Sequence, residues 1–162
     1  MLRYLYSQVY TNEVPRELSL GFAMLGCDVH CPECHSPHTW DINCGNQGID
    51  LTKEELARVI ESQSWVSCIL FYGGEWNTPC LIDLLSYIRK NFDYRLALYS
   101  GRDLGFFLKS PIPSLIDYLK VGCYTKSRGG LIYPSTNQRL YHLENGKVKE
   151  DITHLFWNTR IR

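Results

Sequence analysis

Three cysteines lie within an eight-residue segment of the chain, at Cys27, Cys31 and Cys34. Thiolate sulfur is the soft ligand that iron–sulfur clusters and zinc prefer. The span is too short to present three thiols on one face of a helix, whereas a loop can wrap around a single inorganic centre. A cuboidal cluster usually takes four cysteines, one for each iron. Three cysteines would leave one iron without a protein ligand, and a substrate could bind at that position.

A structural zinc site is the alternative for this segment, with His30, His35 or His38 as the fourth ligand. Zinc sites more often contain two cysteine pairs with two-residue spacings, and no second pair occurs in the sequence. The spacing therefore favours the cluster over zinc.

The other four cysteines, Cys44, Cys68, Cys80 and Cys123, are predicted to be inert. Cys68 lies in an apolar run, where a buried thiol behaves as a small hydrophobe. Cys123 follows a predicted strand and would lie near the site. An odd total of seven cysteines, three of them bunched, differs from the even, spread set of a secreted disulfide framework. It indicates a reducing, cytoplasmic environment.

Length and charge set further limits. The 162 residues predict a single domain, 1–162, with a core over about 17–121 and an irregular C-terminal segment, 122–162. Seventeen basic residues balance seventeen acidic ones, so no overall field favours nucleic acid or an anionic membrane. No apolar stretch approaches the roughly 20 residues of a membrane span. No signal-peptide pattern precedes the first strand.

Apolar runs alternate with amphipathic segments along the chain, which predicts βαβ units, a parallel sheet and outer helices. Four or five units are too few for an eight-fold barrel, so the predicted fold class is α/β, a partial (β/α) barrel. Strands are predicted at 4–10 (an edge), 17–23, 67–72, 95–100 and 116–121, with a hairpin over 140–147. Helices are predicted from a capping box at Thr52 and Glu55, from a cap at Thr78 with Pro79 in first position, and over 103–108.

The carboxyl ends of parallel strands are where such sheets bind ligands. Four segments are predicted to lie at that edge, namely the cysteine loop, Gly73-Gly74-Glu75, Ser100-Gly101 and the segment after Val121. The glycines could form only a tight turn, with Glu75 capping the next helix. Alternatively, missing side chains let a ligand approach the backbone while Glu75 accepts a hydrogen bond from a cationic amine. The polar segment 137–139 is predicted to be an exposed loop.

The Cys-x3-Cys-x2-Cys loop after the first barrel strand, followed by Gly-Gly-Glu after the second, resembles the radical S-adenosylmethionine superfamily. Further features restrict the resemblance to one branch of that superfamily. They are the small size of the chain, Cys34-His35-Ser36-Pro37 with Thr39-Trp40-Asp41, and Gly129-Gly130 followed by 134–139. Within the superfamily the chain is similar to the activating proteins of anaerobic ribonucleoside-triphosphate reductase. The likeness extends over roughly 18–141.

The resemblance implies that Cys27, Cys31 and Cys34 hold a 4Fe-4S cluster whose open iron chelates the amine and carboxylate of S-adenosylmethionine. One electron, from a low-potential flavodoxin or ferredoxin, would cleave the sulfonium to methionine and a 5′-deoxyadenosyl radical. The radical would abstract hydrogen from a glycine in the large catalytic subunit of the anaerobic ribonucleoside-triphosphate reductase. The chain would then be a glycyl-radical activase, with no catalytic residue beyond the cluster.

The resemblance also implies cofactor contacts. They come from Glu33, Cys34 and His35 in the loop, from Gly73, Gly74 and Glu75 at the methionyl amine, and from Ser100 at the ribose or carboxylate. The segment 129–139 is expected to touch the partner. The sequence leaves two other functions open. One is a radical S-adenosylmethionine enzyme acting on a small molecule, similar to 7-carboxy-7-deazaguanine synthase, and the other is a non-catalytic zinc or iron–sulfur binding module.

Overall fold

The computed structural model describes residues 1–157, and the last five residues of the predicted domain lie outside that range. It contains one open mixed sheet of eight strands, in the order β3-β1-β2-β4-β5-β6-β7-β8. The strands are β1 Arg3–Tyr10, β2 Ser19–Leu25, β3 Ile49–Asp50, β4 Cys68–Tyr72, β5 Arg95–Tyr99, β6 Tyr118–Val121, β7 Arg139–Glu144 and β8 Lys147–Asp151. The helices are α1 Lys53–Ser62, α2 Thr78–Asn91 and α3 Leu104–Leu108.

The centre of the sheet is parallel. Strands β2, β4, β5 and β6 pair in sequence, and one helix lies in each connection between them. This confirms the predicted α/β class and the predicted order of strands and helices. The flanks are antiparallel, with β1 and β3 on one side and β7 and β8 on the other. The pairing of β7 with β8 is the predicted hairpin, whereas β3 was not predicted. The sheet does not close, and a partial (β/α) barrel remains a prediction.

Both faces of the central strands are covered, which explains the largely apolar sequences of β2, β4 and β5. In β4, Ile69 and Phe71 pack with the apolar stripes of the helices. Cys68 and Leu70 point to the opposite face, where Val14 and residues of the C-terminal segment cover them. All four residues of β4 named here are fully buried. The prediction of a strand buried on two sides is confirmed.

The first helix begins largely as predicted. The Thr52 hydroxyl accepts a hydrogen bond from the Glu55 backbone N–H at 3.1 Å. The Glu55 carboxylate, however, accepts from the Tyr4 hydroxyl at 2.5 Å and from Arg58 at 2.7 and 2.8 Å. These donors lower the pKa of Glu55 to about 2, Arg58 contributing most. The second half of the predicted capping box is therefore replaced by a link to β1.

The second helix starts at a different cap from the one predicted. Its N-cap is Asn77, whose side chain accepts from the Cys80 backbone N–H at 3.4 Å. Thr78 is the first helical residue, and its hydroxyl donates to the Glu75 carbonyl at 2.7 Å. A short 3-10 turn over Glu75–Asn77 precedes the helix and moves the cap by one residue.

The C-terminal segment is more regular than predicted. Strands β7 and β8 form a hairpin whose turn residues, Asn145 and Gly146, have φ of 52° and 75°, as a tight two-residue turn requires. The predicted hairpin is thus confirmed, and β8 extends it to Asp151, beyond the predicted bound at 147. Strand β1 pairs with β3 only at Arg3 and Tyr4, so the remainder of β1 lies at the edge of the sheet, as predicted. None of the helices within residues 1–157 is long and apolar enough to cross a bilayer.

Candidate metal centre

Four strand ends meet at one edge of the sheet. The parallel registers align Ala23 with Tyr72, Tyr72 with Tyr99, and Tyr99 with Lys120. The segments that follow these strands therefore lie side by side, as the sequence predicted. They surround a cavity of about 490 Å³, within the size range of small-molecule sites.

The cysteine loop forms the roof of this cavity. Cys27, Cys31 and Cys34 all line it and are partly buried. The loop is tied to itself by backbone hydrogen bonds, including Gly26 N–H to the Thr39 carbonyl at 2.8 Å and Cys34 N–H to the Cys31 carbonyl at 3.1 Å. The three thiols thus reach one cavity from one short loop.

The arrangement of these thiols bears on which metal centre they fit. Among residues 1–157, no three His, Cys, Asp or Glu side chains converge as ligands of a single metal ion. A tetrahedral zinc site needs its sulfur ligands about 2.3 Å from one ion. A 4Fe-4S cluster binds each cysteine to a different iron, so that its thiolates surround a volume. All three thiols line one cavity, as the ligands of such a cluster would.

Glu75 is a buried acid in the wall of the same cavity. Its side chain is 1% exposed, and Oε1 accepts from the Ser100 hydroxyl at 2.5 Å. The other oxygen, Oε2, is buried and has no hydrogen-bond partner among the described residues. Burial raises the pKa of Glu75, and the Ser100 hydroxyl and Arg102 partly oppose that rise. An unpartnered buried acceptor of this kind suits a ligand that donates a hydrogen bond.

Lys120, which was not predicted from the sequence, supplies the positive charge of the site. Its ammonium donates to the carbonyls of Ser100 and Gly122, both at 3.2 Å. Burial lowers the pKa of Lys120 to about 8, while the neighbouring Cys31 and Cys123 thiols oppose that shift. At neutral pH the ammonium is therefore still charged and lies beside the thiols. The signal in the sequence that could have revealed this residue is its position between the apolar Leu119 and Val121 in the predicted strand 116–121.

Comparison with known families agrees with this geometry. A model of the 4Fe-4S single cluster domain matches residues 19–141, which include the three cysteines, Glu75, Ser100 and Lys120. The chain belongs to this family. Comparison of the chain with curated proteins and with solved structures found no match. In a 4Fe-4S single cluster domain an iron–sulfur cluster is the expected occupant, and the cysteine-lined cavity is where the chain offers suitable ligands.

The two glycines that follow β4 have different surroundings. Gly73 and Gly74 both adopt left-handed φ, 99° and 104°. Gly73 lines the cavity, and a Cβ there would lie 2.5 Å from the ring of Trp76. A Cβ on Gly74 would instead meet core side chains such as Leu2 and Leu81 at 3.4 and 3.6 Å. The structure therefore brings Gly73, but not Gly74, to the cavity wall.

Two of the loop residues predicted to contact the cofactor, His35 and Glu33, differ in whether they line the cavity. His35 lines the cavity and lies 4.4 Å from the Tyr124 ring, centroid to centroid. Glu33 is exposed and forms an ion pair with Lys126 at 3.2 Å, away from the cavity lining. A cofactor contact from Glu33 or Gly74 stays a prediction.

Two polar residues near the cavity, Asn137 and Gln138, make hydrogen bonds that the sequence did not predict. Gln138, predicted to be exposed, is 6% exposed and donates to the Gly122 carbonyl at 3.1 Å. Its neighbour Asn137 donates to the Cys123 carbonyl at 2.9 Å. The chain turns at Gly122, which has a φ of 104°. The two hydrogen bonds hold the segment after this turn against the site. A local sequence pattern cannot reveal these long-range acceptors.

Cys123 and Cys68 illustrate two kinds of cysteine outside the loop. Burial raises the pKa of Cys68 to about 12, which keeps it a protonated thiol. Burial and the adjacent Cys31 thiol raise the pKa of Cys123 to about 11. Cys123 thus lies beside the cysteine loop, as its position after a strand predicted, and its inertness stays a prediction.

Proposed function

We propose that this 4Fe-4S domain is a radical S-adenosylmethionine enzyme that activates a glycyl-radical protein, the large catalytic subunit of anaerobic ribonucleoside-triphosphate reductase. The observation that carries the proposal is the unpartnered Oε2 of Glu75 in a cavity roofed by three cysteines. A cluster held by Cys27, Cys31 and Cys34 supplies, when bound, one low-potential electron and an open iron position.

The residues of the cavity suit an amino-acid ligand with a cationic centre. Glu75 Oε2 can accept from the ligand's ammonium group, and the bare backbone at Gly73 lets that group approach. Lys120 offers a positive charge to a carboxylate. The opposite charges of the two side chains would orient a zwitterion with its amine and carboxylate towards the cluster loop.

Aromatic side chains provide the rest of the wall. Tyr72 and Tyr99 line the cavity and contact each other edge to face, with centroids 5.6 Å apart. Trp76 lies against the Gly73 turn. These rings would keep water away from a reactive intermediate, which is what the protein must add to the cofactor's own chemistry.

The partner contact is proposed at the segment 129–139. Gly130 and Gln138 line the cavity, so this segment lies at its rim. Ile132 in the same segment is 45% exposed. A glycine-bearing loop of the reductase subunit could therefore reach the cavity beside an apolar contact. The electron donor is proposed to be a low-potential flavodoxin or ferredoxin.

The test begins with protein purified and reconstituted without oxygen. We expect about four irons per chain, and 5′-deoxyadenosine from S-adenosylmethionine and dithionite. After addition of the reductase large subunit, a glycyl doublet should develop in the electron paramagnetic resonance spectrum. Cys31→Ala should lose the cluster and the cleavage, whereas Cys68→Ala, which alters a thiol remote from the loop, should retain both.

Other outcomes would identify the alternatives. A loaded cluster that yields no 5′-deoxyadenosine would indicate a non-catalytic iron–sulfur module. Cleavage without a glycyl signal would favour a small-molecule substrate, such as a deazapurine precursor. Colourless protein containing one zinc would contradict the radical mechanism altogether.

A further inference from the structure

The cysteine loop is anchored to the sheet by an ion pair between Asp28 and Arg102. Arg102 Nη2 lies 2.6 Å from Asp28 Oδ1 and 2.7 Å from Oδ2. Asp28 directly follows the first cysteine of the loop, and Arg102 follows the end of β5. The pair therefore joins two segments 74 residues apart in the chain.

Arg102 is itself held from several directions. Its backbone N–H donates to the Ser100 hydroxyl at 2.9 Å, and its carbonyl accepts from Gly122 N–H at 2.8 Å. The guanidinium carbon lies 4.5 Å from the centre of the Phe106 ring, within cation–π range. Nε lies 3.8 Å from Glu75 Oε1. Because the arginine is already oriented, little side-chain entropy is lost when Asp28 binds it.

The loop needs such an external restraint. His30 and Glu33, on either side of Cys31, have left-handed φ of 49° and 57°. Non-glycine residues adopt this conformation at a cost, and they keep it only where surrounding contacts enforce it. Within the loop, His30 stacks on Trp40 with ring centroids 4.4 Å apart, and the remaining contacts are mainly backbone hydrogen bonds. Asp28 supplies a side-chain link from the cysteine segment to the sheet.

We propose that Asp28 and Arg102 are positioning residues of the metal centre. Their ion pair holds the loop against the strand ends, so that the three thiols face the cavity before the cluster binds and release its iron slowly afterwards. Arg102 also touches Ser100 and Glu75, and it therefore connects the loop to the ligand end of the cavity. The proposal depends on the cluster domain and is independent of radical chemistry.

The test compares Asp28→Asn with Asp83→Asn in cluster-loaded protein. Asp83 forms an exposed ion pair with Lys53 at 2.7 Å between the first two helices, and it is a matched control. Iron release to a chelator is followed anaerobically by loss of the cluster absorbance. We expect release from Asp28→Asn to be roughly fivefold faster, which corresponds to about 1 kcal/mol. Asp83→Asn should release iron at the unaltered rate.

Further variants separate positioning from general destabilisation. Both single variants should melt, in cluster-free form, at the temperature of the unaltered protein. Asp28→Glu keeps the carboxylate and should bring the release rate back towards the original value. Arg102→Gln combined with Asp28→Asn should release iron no faster than Arg102→Gln alone, because both changes remove the same pair. Asp28→Asn protein that melts normally but takes up no cluster would support the proposal more strongly.

Three results would overturn it. Equal release rates from Asp28→Asn and Asp83→Asn would show that the ion pair does not hold the loop. Additive effects in the double variant would show that the two residues act separately. A fall in the melting temperature of Asp28→Asn that accounts for its faster release would make the pair a general stabiliser. None of these readouts depends on cleavage of S-adenosylmethionine.

Discussion

Burial of the Glu75 carboxylate destabilises the fold, but it leaves one carboxylate oxygen available to a ligand. Its carboxylate is buried beside Ser100, and one oxygen has no hydrogen-bond partner within residues 1–157. A buried charge without full compensation destabilises a fold. The acid is therefore better explained by what it would bind than by its contribution to stability. Lys120, at the other side of the strand ends, offers the complementary charge.

The stability of the cluster-free protein should depend on pH through Glu75. Burial raises its pKa above the ordinary value of 4.5. Below 4.5 the group is protonated in both the folded and the unfolded chain. As the pH rises through the window between 4.5 and the raised value, the unfolded chain loses its proton first, and the free energy of unfolding falls.

Replacement by Gln should remove that fall. Glu75→Gln should therefore gain stability relative to the unaltered protein as the pH rises to neutral, by about 1.4 kcal/mol for each unit of pKa elevation. Urea denaturation at a series of pH values measures it, and Glu54→Gln at an exposed position of α1 is the control. Parallel pH profiles for the Glu75→Gln and unaltered proteins would contradict the burial argument.

At the scale of elements, the site depends on how each central strand ends. β4 ends in two left-handed glycines, and β6 ends in another, Gly122. Such a turn stops the strand and redirects the chain across the edge of the sheet. After β4 the turn places Glu75 in the cavity wall, and a 3-10 turn then leads into α2. Strand ends of this kind put polar groups around a cavity, and Lys120 within β6 adds a further one.

Alanine at the two glycines after β4 should distinguish conformational strain from steric conflict. Both changes impose a left-handed φ on a residue with a Cβ, which costs about 1–3 kcal/mol. Gly73→Ala should cost more, because its Cβ would lie 2.5 Å from Trp76, whereas the nearest atom to a Cβ on Gly74 is 3.4 Å away. Urea denaturation measures the difference. Equal losses would show that Trp76 moves aside freely.

At the scale of the whole molecule, two apolar clusters lie on opposite faces of one sheet. The helices cover one face. On the other face, Val14 packs with Leu140, Ile152 and Phe156 of the C-terminal segment. Strand β7 is consequently part of the core, whereas every residue of β8 is exposed.

Leu140→Ala should therefore be strongly destabilising. Leu140 is fully buried on β7, and truncation of a buried leucine costs about 2–5 kcal/mol. Leu108→Ala is the control, since Leu108 is 61% exposed. The free energies of unfolding in urea would be compared. A small loss at Leu140 would show that the hairpin is an appendage to the sheet.

Much of this protein follows from local sequence. The spacing of three cysteines indicated a metal loop, because few other roles need three thiols in eight residues. Apolar runs and amphipathic stripes predicted the central strands and helices, since each periodicity reflects burial of its own element. The parallel order then placed the Gly73–Glu75 and Ser100 segments at one edge.

Other features were decided only by tertiary structure. The pairing of Glu75 with Ser100, the burial of Gln138 against Gly122 and the link from Asp28 to Arg102 join residues 25, 16 and 74 positions apart. Each depends on which strand ends become neighbours, and hydrophobic periodicity carries no information about that. Sequence by itself determined the spacing of the three cysteines and the order of the elements. The tertiary structure decided which polar groups share the cavity, because strand pairing brings together residues that local patterns treat as independent.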